Sequence, residues 1–382
     1  MKITSVDAFL VPPQWQFIRI QTDEGVTGWG EAGAQFRARA VQAAIHDARG
    51  WLVGRDPLPV EAHWQVLRRS SCYRGGPVLS SALSGIDLAL WDIKGKAMGA
   101  PVHELLGGPV RERVRSYVWV GGNDLCEFDP SALIDEAQRY ADQGFSAFKL
   151  TAGRASAIEP PEVCHAIVSR LEALRHALGN SIDIAVDAHG RWSKPMARRM
   201  LPALGDLDLL FLEEPMLAED RTSIGELTAA THIPIALGER LLSRWEFAEV
   251  LEQGVAVVQP DVAQASGISE TRRIAAMAEM HDVTVAPHAP LGPLMLAASL
   301  QIDFAVPNIL VQEQGITHFG EWFAKYVQNP EVFRLDDGWF SRPTGPGLGV
   351  DVDEAAVLDL AEVAHDRKQP IWFHPDGSYA EY

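Results

Sequence analysis

Six groups able to titrate or hold a metal recur from just before the midpoint of this 382-residue sequence onward: Asp187, Glu213, Glu239, Asp261, His288 and Glu313. The gaps between them are 26, 26, 22, 27 and 25 residues by subtraction, and each closes a short apolar run, as in Ala185-Val186-Asp187, Leu212-Glu213-Glu214-Pro215 and Leu237-Gly238-Glu239-Arg240. An acid after a strand is often only the cap of the next helix, but six in register point to a shared site. Three carboxylates gathered without compensating charge would push one another's pKa values up. A cation is needed, and all-oxygen ligation selects a hard ion such as Mg²⁺, one per subunit, with Mn²⁺ as the alternative. Asp187, Glu213 and Glu239 are the expected ligands. Glu214 is the rival to Glu213, but side chains alternate along a strand, so only one of the pair faces the interior. A helix cap or a lysine's partner is then left for Glu214.

His189 stands two residues after Asp187, and the same alternation puts its imidazole on the metal's side. His288, in Ala286-Pro287-His288-Ala289, ends the strand next to the one carrying Asp261, which allows an Asp-His dyad. A carboxylate there fixes the tautomer and raises the basicity of the imidazole, as a proton-abstracting base requires. Lys149, in Phe148-Lys149-Leu150-Thr151, supplies a positive charge for an anionic substrate. Glu313 closes the last strand, where a protonated carboxyl could donate to a developing enediolate oxygen.

Elements must bring these groups together. From Arg115 onward a unit of apolar strand, turn and amphipathic helix recurs, with strand ends near Val120, Lys149, Asp187, Glu213, Glu239, Asp261, His288 and Glu313. That regularity predicts a parallel (β/α) barrel of the TIM type, whose catalytic groups sit at the carboxyl ends of the strands. An open doubly wound sheet would bring a Gly-x-Gly-x-x-Gly turn, and none is present. Upstream, alternating runs at Ile3 to Val11, Phe17 to Thr22 and Val26 to Trp29 predict an antiparallel meander. Helical periodicity follows at Arg37 to Val53, Val60 to Arg69 and Leu79 to Met98. The expected class is α/β: an α+β capping domain over 1–114, the barrel over 115–320, and a C-terminal segment over 321–382 packing back on the cap. That last segment holds a Pro-Gly loop at 343–349 and a helix from Glu354 to His365.

Composition narrows the partners. Hydrophobic residues make up 47% and charged ones 22%, the balance of a folded globular chain. A net charge of −18 with scattered Lys and Arg excludes a phosphate-tracking, nucleic-acid-binding surface. The three cysteines, Cys72, Cys126 and Cys164, form no disulfide or zinc pattern. With no export signal and no apolar run of about 18 residues, a cytoplasmic, membrane-free setting is expected.

The sequence resembles the enolase superfamily in its mandelate racemase branch. Besides the barrel motifs, the likeness runs through Thr22-Asp23-Glu24-Gly25-Val26-Thr27-Gly28-Trp29-Gly30-Glu31, Tyr73-Arg74-Gly75-Gly76-Pro77, Ala89-Leu90-Trp91-Asp92-Ile93-Lys94-Gly95-Lys96 and Pro346-Gly347-Leu348-Gly349-Val350. It implies a sugar-acid dehydratase, acting on an aldonate such as D-galactonate. His288, backed by Asp261, would remove the C2 proton and His189 would protonate the departing C3 hydroxyl. Magnesium would hold the carboxylate, Glu313 would stabilise the enediolate, and the product would be a 2-keto-3-deoxy acid. Racemases of the branch have Lys-x-Lys where this chain has Lys149-Leu150-Thr151. Residues expected to meet substrate are Gln35, Arg37, Lys149, Thr151 and His318. Thr151 replaces an expected Asn, and the loop 32–37 is also different, which bears on the identity of the sugar acid. The resemblance further implies a homo-oligomer. Remaining alternatives are an epimerase, racemase or cycloisomerase on a carboxylate substrate, and a non-catalytic sugar-acid-binding protein.

Overall fold

A computed structural model of the chain describes residues 1–122, 125, 129–152, 159–361, 371–374 and 376–380. Strands β1 (Ile3–Val11), β2 (Trp15–Thr22) and β3 (Thr27–Ala32) form the antiparallel meander. Helices α1 (Ala38–Leu52), α2 (Val60–Arg69) and α3 (Gly76–Met98) follow, and the sheet lies against α3. Gly30 allows the close approach, since a Cβ there would stand 2.2 Å from the Gly85 carbonyl oxygen. Helix α3 starts at Gly76 rather than at the expected Leu79. Pro77 fills its first turn, where a missing N–H breaks no helical bond.

After the short α4 (Val102–Leu105) and β4 (Arg113–Arg115) come β5 (Val118–Trp119), β6 (Ala147–Thr151), β7 (Asp183–Asp187), β8 (Phe211–Glu213), β9 (Ile235–Leu237), β10 (Val257–Val258) and β11 (Thr284–Val285). These seven, β5 to β11, pair in parallel in that order. The segment 308–312 closes the ring: Leu310 N donates to Val285 O at 2.8 Å and Gln312 N to Arg115 O at 2.9 Å. Inside, Tyr117, Ala147, Ala185, Phe211, Ala236, Val257, Ala286 and Val311, one from each of eight successive segments, form a single buried cluster. It is the filled floor of a barrel. Outside it run α5 (Pro130–Ala141), α6 (Pro161–Leu178), α7 (Lys194–Leu204), α8 (Ile224–Thr228), α9 (Arg244–Leu251), α10 (Gly267–Met280), α11 (Pro293–Ala305) and α12 (Ile316–Tyr326).

Several strands stop short of their expected ends. β9 ends at Leu237, β10 at Val258 and β11 at Val285, so Glu239, Asp261 and His288 lie beyond them. Pro260 and Pro287 have no N–H to continue a ladder, and Gly238 turns the chain at φ +150°. Asp261 and His288 nevertheless face each other in a single parallel bridge.

The chain then returns to its beginning. Strands β12 (Leu335–Asp336) and β13 (Trp339–Ser341) join β4 in a small sheet. Helix α13 (Glu354–Ala361) comes back to the cap meander, where Arg19 Nη1 lies 2.5 Å from Glu354. The expected continuation of that helix to His365 lies outside the described residues, as does Cys126. Gly347 anchors the Pro-Gly loop: its φ is +68°, and a Cβ would stand 2.1 Å from Asp92 Oδ1. The divisions expected after residues 114 and 320 pass through β4 and α12 respectively. Cys72 and Cys164 are free thiols. Among the described residues no helix is long and apolar enough to cross a membrane.

Candidate active site

The strand ends gather the titratable groups around one buried lysine. Asp187 closes β7 and pairs in register with Glu213, which closes β8. From β6, Lys149 Nζ lies 3.0 Å from Glu213 Oε2, 2.7 Å from Glu313 Oε1 and 3.8 Å from Asp187 Oδ2. Its side chain is only 1% exposed. Those carboxylates outweigh the cost of burying an ammonium and hold Lys149 well above its usual pKa. Its charge therefore faces the protein's own acids, which differs from the substrate contact expected from sequence. Glu313 Oε2 accepts the Ala289 N–H at 3.0 Å and its Oε1 faces the Lys149 ammonium at 2.7 Å, so its side chain meets the protein's own groups.

Asp261 and His288 form a dyad, with Nδ1 of the imidazole 2.8 Å from Asp261 Oδ2. Asp261 is itself fixed by the Ala263 N–H at 2.7 Å and the Gln264 amide at 2.9 Å. The bond to Nδ1 leaves Nε2 for the site, where Glu239 Oε2 lies at 3.1 Å and Glu313 Oε2 at 3.9 Å. Burial alone would depress this imidazole's pKa. Glu239 and Glu313, with the Asp261 hydrogen bond, reverse that and hold it well above the usual histidine value.

His189 reaches the same cluster by another route. β7 has ended at Asp187, so strand alternation does not apply. His189 sits instead in the left-handed region at φ +57°, fixed by its N–H to Asp187 Oδ1 at 2.6 Å and by Arg240 Nη2 on its carbonyl at 2.8 Å. Its Nδ1 lies 3.4 Å from Asp187 Oδ2 and its Nε2 4.0 Å from Glu239 Oε1. Glu239 thus stands between the two imidazoles. Burial opposes protonation of His189, but Asp187 and Glu239 raise its pKa overall.

Glu214 is turned away at φ +38° and pairs with Arg240 Nη1 at 3.2 Å, so its partner is an arginine where a lysine was expected. Burial, then Glu239, pushes the Glu214 pKa well up. Arg240 also approaches Glu239 at 3.3 Å. Trp119 lies at the end of β5 with its indole nearly parallel to the His189 imidazole, ring centroids 6.4 Å apart, and neither it nor Arg240 was singled out from sequence. The position of Arg240 directly after Glu239 was the available signal, whereas nothing marked Trp119.

Of the residues expected to meet substrate, Thr151 is 2% exposed and level with Asp187 across the β6–β7 ladder. Its hydroxyl makes no hydrogen bond among the described residues. Gln35 is half-buried in a small cavity with Gln14, Gln16, Glu31 and Leu291. That loop is tied to the Asp261 turn by Gly33 N to Ala263 O at 2.8 Å. Arg37 is exposed, with Nη1 on the Phe36 carbonyl at 3.1 Å. His318 is exposed in the first turn of α12, its Nδ1 3.1 Å from the Thr317 hydroxyl.

No three His, Cys, Asp or Glu side chains among the described residues stand converged as a ready metal cage. The expected trio is instead drawn onto cations, Glu213 to Lys149 and Glu239 to His288. The donor set still fits a hard divalent ion in kind. Its groups are oxygens, Asp187 Oδ2 makes no hydrogen bond among the described residues, and burial followed by the charge of Asp187 pushes Glu213 up to about 8. A cation relieves that repulsion.

Fold and site together define an α/β-barrel enzyme with two histidines set around a carboxylate cluster. The chain belongs to the mandelate racemase / muconate lactonizing enzyme family of the enolase superfamily. Residues 11–107 match the family's N-terminal domain and residues 132–356 the enolase C-terminal domain-like model. It is 47% identical over 387 residues to a D-galactonate dehydratase of Verminephrobacter eiseniae (strain EF01-2), covering 100% of both chains. It is 48% identical to the one of Ralstonia nicotianae, again over 100% of both. Among solved structures, an enolase from Agrobacterium radiobacter with Na and L-malate bound superposes with a TM-score of 0.89 at 32% identity, covering 100% of both chains. A mandelate racemase/muconate lactonizing enzyme from Jannaschia sp. CCS1 gives a TM-score of 0.88 at 30% identity, with 96% of this chain and 99% of that one covered.

Proposed function

We propose that this chain is a hydro-lyase that dehydrates a sugar acid, and that the acid is an aldonate, D-galactonate first, converted to its 2-keto-3-deoxy acid. The observation that carries the reading is the Asp261–His288 dyad, closed at 2.8 Å, with His189 on the other side of Glu239. A base and an acid on either side of one bound carbon chain are what an elimination of water needs. The full-length likeness to D-galactonate dehydratases supports the substrate class.

Glu239, turned from His288 to the cation it would hold, no longer keeps a proton on Nε2, and His288 Nε2 takes the C2 proton with its Nδ1–H staying on Asp261. The electron pair passes into an enediolate. His189 then gives a proton to the C3 hydroxyl, which leaves as water, and the resulting enol tautomerises to the 2-keto acid. Asp187, Glu213 and Glu239 would hold Mg²⁺, which supplies a Lewis-acid partner for the substrate carboxylate. Lys149 and Glu313 keep the cluster's charge and shape, and Thr151 offers its hydroxyl to the substrate. The missing second lysine at position 151 argues against racemase chemistry by a lysine pair. We also assign the cap to 1–114, the barrel to 115–320 and the closing segment to 321–382, and infer a homo-oligomer that binds neither nucleic acid nor membrane.

The test is a panel of aldonates and aldarates incubated with protein and Mg²⁺, followed by semicarbazide detection of 2-keto acids, with an EDTA-treated control. A metal-dependent keto product from an aldonate supports the proposal and names the substrate. Absence of keto product from every acid, with metal shown to be bound, overturns it.

A further inference from the structure

Each side chain of the barrel's floor is followed two residues later by the next inward position of its segment. Those positions are Trp119, Lys149, Asp187, Glu213, Gly238, Gln259, His288 and Glu313, a ring that holds most of the candidate site. Within it Gln259 stands apart. It is 1% exposed, and its amide oxygen and amide nitrogen are both closed off from solvent and make no hydrogen bond among the described residues. A buried amide normally finds partners at both ends, and one that has none marks a place completed by something else.

The backbone fixes where that amide goes. Gln259 N donates to Leu237 O at 3.0 Å, and Ala286 N donates to Val258 O at 3.0 Å, so the chain stays extended past the end of β10. Val257 lies in the floor and Asp261 in the dyad, and alternation turns the Gln259 side chain inward between them. Gly238 brings the neighbouring segment close, since a Cβ there would stand 2.6 Å from Gln259 N. The same glycine leaves the ring without a side chain between Glu213, from β8, and Gln259, after β10. The amide therefore borders a gap flanked by Glu213 and by Glu239, two of the carboxylates assigned to the metal. Glu239 Oε2 lies 3.1 Å from His288 Nε2. Turned from the imidazole to a cation, that carboxylate needs a donor to set its direction, as metal-ligating carboxylates generally have.

We propose, on the reading that Asp187, Glu213 and Glu239 hold a divalent cation, that Gln259 is a positioning residue of that site. Its amide N–H donates to the Glu239 carboxylate once that side chain has left His288, and so fixes the oxygen that faces the cation. The amide oxygen accepts from a water that enters with the ion, since Mg²⁺ usually keeps several of its own. Gln259 touches neither the C2 proton nor the leaving hydroxyl.

The test is calorimetric titration of Mg²⁺ into the metal-free protein, together with urea denaturation in EDTA, for the wild type, Q259M and Q259L, with D187A as the comparator that should bind no ion. Both Gln259 variants fill the space and lack the donor. They are expected to bind Mg²⁺ about ten- to a hundredfold more weakly than the wild type. Their metal-free urea midpoints are expected to equal or exceed that of the wild type, because the amide has no partner to lose. A merely structural glutamine would give the reverse, a lower midpoint with unchanged affinity, and that result would overturn the proposal. Wild-type affinity in both variants would overturn it, and so would a fall in midpoint alongside the fall in affinity, since the ion site would then fail through the fold. Binding is read without substrate, so the outcome does not depend on which acid is turned over. A wild type that takes up no Mg²⁺ would remove the three-carboxylate reading and this proposal with it, whereas a wild type that binds the ion no better than its variants removes the role of Gln259 alone.

Discussion

His288 Nδ1 stands 2.8 Å from Asp261 Oδ2, although the two residues lie beyond the ends of their strands. The contact determines which imidazole nitrogen faces the site. H288N should lower dehydration by roughly 10² to 10⁴-fold, the span of general-base removal, and also abolish C2 exchange. D261N leaves the ring in place without its charged partner and should lower kcat by about 10²-fold with little change in KM. A fully active H288N in a kcat and isotope-exchange assay would contradict the base assignment.

Lys149 is a fully enclosed cation among Glu213, Glu313 and Asp187. Replacing it with methionine strands those acids, and breaking a buried pair from one side costs about 3 to 5 kcal/mol. Urea denaturation of K149M without added metal should show a loss of that order, partly recovered by Mg²⁺. A midpoint equal to that of the wild type would show that the lysine does not organise the cluster.

Metal binding should register as stability independent of turnover. Mg²⁺ at about a hundredfold its dissociation constant should stabilise the fold by about 2.7 kcal/mol, read as a higher melting temperature that EDTA reverses. Asp187→Ala should remove the response. A wild-type melting temperature indifferent to Mg²⁺ and Mn²⁺ would count against the three-carboxylate site.

Asp87 sets a pH dependence away from the site. It joins α3 to the start of α10 by accepting from the Ser269 N–H at 3.0 Å and the Ser269 hydroxyl at 2.6 Å. Burial pushes its carboxyl up to about 7 from 3.8. The folded state thus holds this proton more tightly than the unfolded state. The contribution is fully present below the unfolded pKa and is lost as pH rises from about 4 through 7. Melting temperature should fall by several degrees across that window, and D87N should flatten the slope. Parallel pH profiles for the two proteins would refute the assignment.

The closing loop depends on Gly347. A Cβ on it would strike Asp92 Oδ1, the carboxylate that also receives the Leu348 N–H at 2.9 Å on Oδ1 and the Trp29 N–H at 2.9 Å on Oδ2. G347A should cost roughly 2 to 4 kcal/mol from the left-handed backbone and the collision together. G50A, in α1 with open space around it, should be neutral or slightly stabilising. Equal midpoints for the two variants would contradict this account.

What could be read from the sequence follows from what each pattern encodes. Spacing of apolar runs located the barrel because each strand-helix unit needs its own buried stretch, and the strand ends then named Asp187, Glu213, Asp261 and His288. Alternation placed His189 on the right side for the wrong reason. Its position comes from a left-handed turn that no periodicity marks. Lys149 and Glu313 were expected to meet substrate and instead meet each other, because sequence spacing cannot show that two strands with five others between them in the chain become near neighbours once the barrel closes. Arg240 and Trp119 were overlooked for the same reason: their partners, Glu214 and His189, come from other strands.

The most direct test of the central claim is to run D-galactonate with Mg²⁺ in D₂O and analyse the product by mass spectrometry and NMR. Dehydration through an enol predicts a 2-keto-3-deoxy acid that has lost one water and carries a single solvent deuterium at C3. A product that has lost no water and carries deuterium at C2 with inverted configuration there would make the enzyme an epimerase, and recovery of untouched D-galactonate alongside every other aldonate would contradict the account altogether.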